Sequence, residues 1–355
     1  MIVRGRRLLL GAALAIILMY FFFRGIDGAA LARAFRSASP VFLAGVVLAT
    51  LATYVARAWR WGFLLAPLER VPFRRLFSVT VIGFMSGLII PRAGEVLRPY
   101  LVARRYSLRT SAVFASIILE RLVDLIAVLL LFGAYFYVLP APAAQVQSPL
   151  LSTVKAGGGL AALAALAVLG VLLALHHHAD RVVAVVERLT RRLSARLSAL
   201  AVKLLRSFAE GLVVLQASPG HLLAIVGQSI LVWLPIALAI YWSNRAFGID
   251  LPFHSTFFML VPLTAGVAVP TPGMVGGFHA TYRVSLTEVF GVPGETAAAA
   301  GLAAHALLNL PVLLMGLALL PGEGLSLSRM SEVAQSGPGE QEAGAPAGAP
   351  AGRMP

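Results

Sequence analysis

Ile89-Ile90-Pro91-Arg92-Ala93-Gly94-Glu95-Val96-Leu97-Arg98-Pro99-Tyr100 breaks an otherwise apolar part of the chain, and its reading decides the fold. The apolar run from Leu76 to Ile90 passes directly into a proline, two arginines, a glycine and a glutamate. Another long apolar segment begins soon afterwards, at Thr110. Ionisable groups at the mouth of a membrane segment are costly and persist where a cavity or a partner compensates them. The stretch therefore reads as the turn of a re-entrant hairpin. Its charges face a polar path suited to an anionic lipid headgroup.

Working outward, the 355 residues are 59% hydrophobic and only 12% charged. Soluble domains carry about a quarter charged residues. Several uncharged runs approach the roughly 20 residues that cross a bilayer as a helix. No series of short alternating segments suggests a β-barrel. The expected class is an all-α polytopic membrane protein. The net charge of +14 comes largely from arginines set between apolar runs. That placement points to membrane topology and anionic lipid surfaces rather than to nucleic acid. With no cysteine, disulfides, thiolate metal sites and cysteine nucleophiles are excluded. Phe21-Phe22-Phe23-Arg24 is a poor cleavage site, so the first apolar run reads as an uncleaved span.

Six full spans are expected, near residues 8–23, 41–63, 110–139, 156–175, 222–244 and 296–320. Arg4, Arg6 and Arg7 place the N-terminus in the cytoplasm by the positive-inside rule. Arg57, Trp59, Arg60 and Trp61, at the end of the second run, read as interfacial anchors. If Leu76 to Pro91 crossed fully, the arginines from Arg92 to Arg109 would lie outside, against that rule. A hairpin that returns keeps both flanking basic clusters inside. Ser255 to Phe278 is apolar but broken by Pro262, Gly266, Pro270, Pro272, Gly273, Gly276 and Gly277, and reads as a second hairpin, from the opposite face. Two broken hairpins suggest an inverted repeat with a midplane site. Residues 181–210 read as one amphipathic basic helix on the inner leaflet. The polar, Gly- and Pro-rich residues 321–355 read as a disordered cytoplasmic tail beyond a transmembrane domain of residues 1–320.

Three groups carry candidate chemistry. Arg92 and Arg98 can each fork onto a phosphate, with Glu95 placed to pair with Arg98. Glu120 and Asp124 share a helix face, where two carboxylates repel unless a cation or proton sits with them. Arg121 reaches Asp124 at i+3, and Arg92 or Arg98 can supply the second charge. The alternatives are a structural ion-pair cluster and a proton relay. The third group is the break Pro270, Pro272, Gly273, Gly276 and Gly277 with His279 and Arg283. A half-helix starting there would point its positive end at an anion, unless the break is only a packing kink. His305 and Asn309 share a face of the last span and read mainly as packing residues. The run His176 to His178 lacks partnering carboxylates, so no metal and no cofactor is expected, and no motif supports catalysis.

Pro91-Arg92-Ala93-Gly94-Glu95-Val96-Leu97-Arg98, then Glu120-Arg121-Leu122-Val123-Asp124, then Pro270-Thr271-Pro272-Gly273, in this order and spacing, resemble the lysylphosphatidylglycerol synthase transmembrane (flippase-like) family. The resemblance covers roughly Leu8 to Leu320. It implies a bacterial or archaeal cytoplasmic-membrane protein whose relatives move aminoacylated phosphatidylglycerol between leaflets. The soluble aminoacyl-transferase domain of bifunctional relatives has no counterpart in this sequence, so synthase activity is not expected. The sequence departs from the family at Met274, where glycine is usual, at His279, near a usual glutamate, and at His305, where arginine is common. The expected function is translocation of an anionic phospholipid or lipid phosphate. The alternatives are an integral-membrane transferase acting on a polyprenyl phosphate or phospholipid, and a non-transporting partner of a cell-envelope enzyme. A homo-oligomer is compatible with each.

Overall fold

A computed structural model describes residues 2–333, apart from 92, 140–148, 192–193, 213–218, 328–329 and 331–332. Among the described residues there are thirteen α-helices and no strand. They are α1 (Ile2–Phe23), α2 (Gly28–Arg36), α3 (Pro40–Leu65), α4 (Phe73–Ile89), α5 (Ala93–Tyr106), α6 (Thr110–Tyr137), α7 (Pro149–His177), α8 (Ala179–Arg191), α9 (Ala195–Gly211), α10 (Pro219–Ala246), α11 (Ser255–Ala268), α12 (Gly277–Val284) and α13 (Gly294–Leu319). This is the expected all-α polytopic membrane protein.

The expected spans correspond to α1, α3, α6, α7, α10 and α13. Of these, α3, α7, α10 and α13 are long and apolar enough to cross a bilayer by themselves. α1 meets the test together with α2, from which it bends by 86°. α6 has the length, 28 residues, but carries Glu120, Arg121 and Asp124. Pro40 opens α3 at its first turn, where a missing N–H costs nothing. Asp27 caps α2 by accepting a hydrogen bond from the Ala29 N–H at 2.9 Å. The loop carrying Pro140 and Pro142 lies outside the described residues.

α4 and α5, of 17 and 14 residues, span about 25 and 21 Å at ~1.5 Å per residue, short of the ~30 Å hydrocarbon core. They pack against each other as a hairpin. At its centre a Cβ on Gly94 would collide with the Gly83 carbonyl. α11 and α12 form the second hairpin, joined through a 3₁₀ turn at Pro272–Met274. There a Cβ on Gly277 would collide with the Gly266 carbonyl. Contact this close between helix backbones is the use membrane proteins make of small residues. The turn at Pro272–Met274 touches α4, so the second hairpin meets the first.

Three expectations need correction. Residues 181–210 form two helices, α8 and α9, which pack on each other while α9 packs on α6. A single rod would have left the apolar face that now meets α6 exposed. The polar segment after residue 320 does not leave the fold at once. Leu325, Met330 and Val333 are buried in the main core, and Arg75 pairs with Glu323 at 2.6 Å. Residues 334–355 lie outside the described residues. Arg57 and Arg60, expected at an interface, are buried inside the bundle.

Candidate functional site

α6 carries the centre of the site. Glu120 and Asp124, one helical turn apart, are both buried, and four guanidinium groups from three elements close on them. Arg98 of α5 forks onto Glu120, its Nη1 and Nη2 donating to Oε1 and Oε2 at 2.9 Å each. Arg60 of α3 donates from Nη1 to Asp124 Oδ1 at 2.5 Å and lies 3.8 Å from Glu120. Arg57, one turn earlier on α3, lies 3.5 Å from Asp124 Oδ2. Arg121 pairs with Glu120 and, at 3.3 Å, with Asp124. Trp233 Nε1 of α10 donates to Asp124 Oδ1 at 3.1 Å. Aromatic faces complete the shell: the Arg98 guanidinium lies 4.3 Å from the Trp61 ring centroid, and that of Arg57 4.7 Å from Phe84.

This arrangement does two things. It ties α3, α5, α6 and α10 together with charge-assisted bonds in a low-dielectric interior. It also leaves a cationic surplus, because four arginines face two carboxylates. The guanidinium groups are not equally closed in. The side chains of Arg60 and Arg98 are 0% and 3% exposed, whereas that of Arg121 is 39% exposed. The Nε atoms of Arg98 and Arg121 and Nη1 of Arg57 have no hydrogen-bond acceptor among the described residues.

A cavity of about 450 Å³ opens between the two hairpins beside this cluster. Glu95, Arg98 and Arg121 line one side, and Pro270, Thr271 and Met274 the other. Glu95 is exposed on its wall, and Arg98 is paired with Glu120 rather than with Glu95, because the α6 carboxylate meets both of its terminal nitrogens in the buried interior. Arg92 lies outside the described residues.

The second hairpin contributes differently from expectation. Pro270 lines the cavity, but Pro272, Gly273, Gly276, Gly277, His279 and Arg283 do not. The first residues of α12 do not line the cavity. Gly276 donates its N–H to Nδ1 of His279 at 3.3 Å, and a Cβ there would meet Leu18 of α1 at 2.5 Å. Arg283 donates to the backbone carbonyls of Phe22 and Arg24, where α1 ends. A cation placed against the carbonyl end of a helix is a structural cap, so Arg283 fastens α1 to the second hairpin. His305 of α13 is 2.8 Å, through Nε2, from the Gly273 carbonyl, and its ring centroid lies 4.4 Å from that of His279. The long-range partner of Arg57 and Arg60 is the residue set that local sequence could not reveal. Two arginines three apart on an apolar helix were the available signal. Among the described residues no group of three or more His, Asp or Glu side chains is placed to hold a metal ion.

The family model described as "Lysylphosphatidylglycerol synthase TM region" matches residues 8–316, most of the chain. No curated protein matches the sequence.

Proposed function

The chain belongs to the lysylphosphatidylglycerol synthase transmembrane family, and on that premise we propose that it moves an anionic phospholipid or lipid phosphate between membrane leaflets. The headgroup enters the cavity between the hairpins while its hydrocarbon chains stay in lipid. The observation that carries this reading is the cationic surplus beside a cavity of headgroup size. Arg121, its side chain 39% exposed and lining the cavity, is the group that meets the phosphate. Arg98, anchored through both terminal nitrogens by Glu120, lines the same cavity behind it. Counting Glu95 on the wall, four guanidinium groups face three carboxylates, which leaves one positive charge to match a phosphodiester.

The hairpin geometry supports the topology that this function needs. Arg74 and Arg75 open α4 while Arg104 and Arg105 close α5. A hairpin brings both clusters to one side, the cytoplasmic side by the positive-inside rule. The transferase alternative would need Glu120 or Asp124 as a base, and both carboxylates are engaged by arginines. The test is lipid movement in liposomes that contain purified protein. Labelled phosphatidylglycerol should exchange between leaflets faster than in protein-free vesicles, and Arg121→Ala should abolish the gain. Folded wild-type protein that moves no anionic lipid, or that turns over a labelled activated donor, would overturn the reading.

A further inference from the structure

His279 and His305 do not line the cavity, yet they hold both ends of a turn that does. His279 is the third residue of α12, and its Nδ1 accepts the N–H of Gly276, the residue that caps the helix. Glutamate or glutamine is the usual residue for this reach back to a cap. A ring nitrogen that accepts carries no proton, so His279 is neutral, with its proton on Nε2. At the other end the Gly273 carbonyl can only accept, so His305 of α13 donates to it from Nε2 at 2.8 Å. Between the two anchors the backbone is left-handed at Gly273, Met274 and Gly276, with φ of 63°, 57° and 90°. Such backbone is costly at Met274, which has a Cβ, and persists where the surroundings fix it. The turn places Thr271 and Met274 on the cavity wall, and it touches α4.

The charges around His279 are few. Its side chain is buried, with the ring centroid 4.4 Å from that of His305 and 5.4 Å from that of Phe22. Of the elements packed against α12, α11 has no titratable residue from Ser255 to Ala268. α1 offers Tyr20 among its described side chains, and α13 offers Glu295, in its first turn, besides His305. The π-helical turn that follows α12 adds Glu288. Within α12, Tyr282 is bonded to Asn244, and Arg283 lies one turn beyond His279. Across the cavity from the turn stand Glu95, Arg98 and Arg121. Among the described residues no Asp or Glu joins the two histidines in a group that could hold a cation.

We propose that His279 is a proton-sensitive clamp on this turn, which holds the cavity wall in place when neutral and releases it when protonated at Nδ1. The part of the clamp in transport rests on the translocation reading. A proton taken from water turns the Nδ1 acceptor into a donor that faces the Gly276 N–H. It also sets a cation against His305 and one turn from Arg283. His305 keeps its own bond in either state, because Nε2–H is present in the neutral ring and in the imidazolium. The turn is therefore released at the Gly276 end only. His279 is a positioning residue, since it acts through the turn and does not line the cavity. Acid slows lipid exchange by loosening the wall that carries Thr271 and Met274.

The test follows exchange of labelled phosphatidylglycerol in liposomes from about pH 7.5 to about pH 5.0, a window that brackets the ordinary titration of imidazole. The wild-type rate should fall about fivefold across it, the loss expected of one neutral hydrogen bond, and recover at neutral pH. His279→Gln and His279→Asn each supply an acceptor that takes no proton, so both should hold the neutral rate throughout. Either one suffices if the other fails to fold. Met274→Cys gives a reading that needs no lipid movement, since the chain has no other cysteine. At the acid end a methanethiosulfonate reagent should label it about fivefold faster beside His279 than beside His279→Gln, and at neutral pH equally fast. Comparison at one pH cancels the titration of the thiol itself. Wild-type exchange at one rate across the window, or an equal fall in both amide variants, would overturn the clamp. Acid labelling that ignores residue 279 would overturn release of the turn, whatever the lipid assay shows. No lipid movement at any pH, with labelling still proton-sensitive, would overturn translocation and leave the clamp standing.

Discussion

At the scale of single residues, the charges of the cluster separate into those that hold the fold and the one that the proposed headgroup site would use. Glu120 accepts both terminal nitrogens of Arg98 and is approached by Arg60 and Arg121. Removing it leaves guanidinium groups buried without a counter-charge, which typically costs about 3–5 kcal/mol. Glu120→Ala should therefore unfold at a clearly lower temperature than wild type when purified protein is heated in mild detergent. Arg121→Ala should behave differently. Its side chain is 39% exposed, and both carboxylates keep other arginines, so the melting temperature should stay near wild type while lipid exchange is lost. A large fall in the melting temperature of Arg121→Ala would make that arginine structural. Sequence reasoning could see half of this cluster. Glu120, Arg121 and Asp124 announce themselves as charges on one face of an apolar helix. Arg57 and Arg60 do not, because an arginine beside tryptophan at the end of an apolar run has the same local signature whether it snorkels or is buried. The difference is a carboxylate 64 residues away from Arg60.

At the scale of elements, the two hairpins share a construction that neither sequence stretch shows by identity. Each is closed by a glycine pair eleven residues apart, 83 with 94 and 266 with 277. In each, a proline-containing break lies between the pair. Repeated geometry in two broken helical hairpins is what an inverted repeat would produce. Gly94→Ala and Gly277→Ala each drive a methyl group into a backbone carbonyl that cannot rotate away. Overpacking of this kind costs about 1–3 kcal/mol or more. Both should lower the melting temperature and slow lipid exchange. Gly170→Ala on α7 meets nothing within 4 Å. It should be neutral or gain a few tenths to about 1 kcal/mol, because alanine has fewer unfolded conformations to lose. Equal effects at all three positions would remove the case for tight hairpin contacts. The hairpins were legible because helix breakers in apolar runs have few other uses. The cap that Arg283 provides for α1 was not, since its partners are backbone carbonyls far away in the chain. The division of residues 181–210 into α8 and α9 depends on packing against α6, which amphipathic periodicity alone does not encode.

At the scale of the whole molecule, the question is what must move. Among the described residues four helices are long and apolar enough to cross a bilayer by themselves, and the charged cluster ties α3, α5, α6 and α10 into one body. Contact between the hairpins is of another kind. The cavity lies between them, and the 3₁₀ turn at Pro272–Met274 meets α4 without any ion pair across the junction among the described residues. A packed core is bistable rather than continuously deformable, so the weaker junction is where one arrangement gives way to another. Translocation should therefore need the hairpins to part. Gly87 and Val267 line the cavity from opposite sides, and a side chain at Gly87 meets open space. Cysteines at both positions, joined by a bifunctional thiol reagent with a reducible centre, should stop lipid exchange without lowering the melting temperature. Reduction of the linker should restore it, and each single cysteine treated in the same way should remain active. Exchange that continues at the wild-type rate in the fully cross-linked protein would mean that the headgroup passes between fixed hairpins.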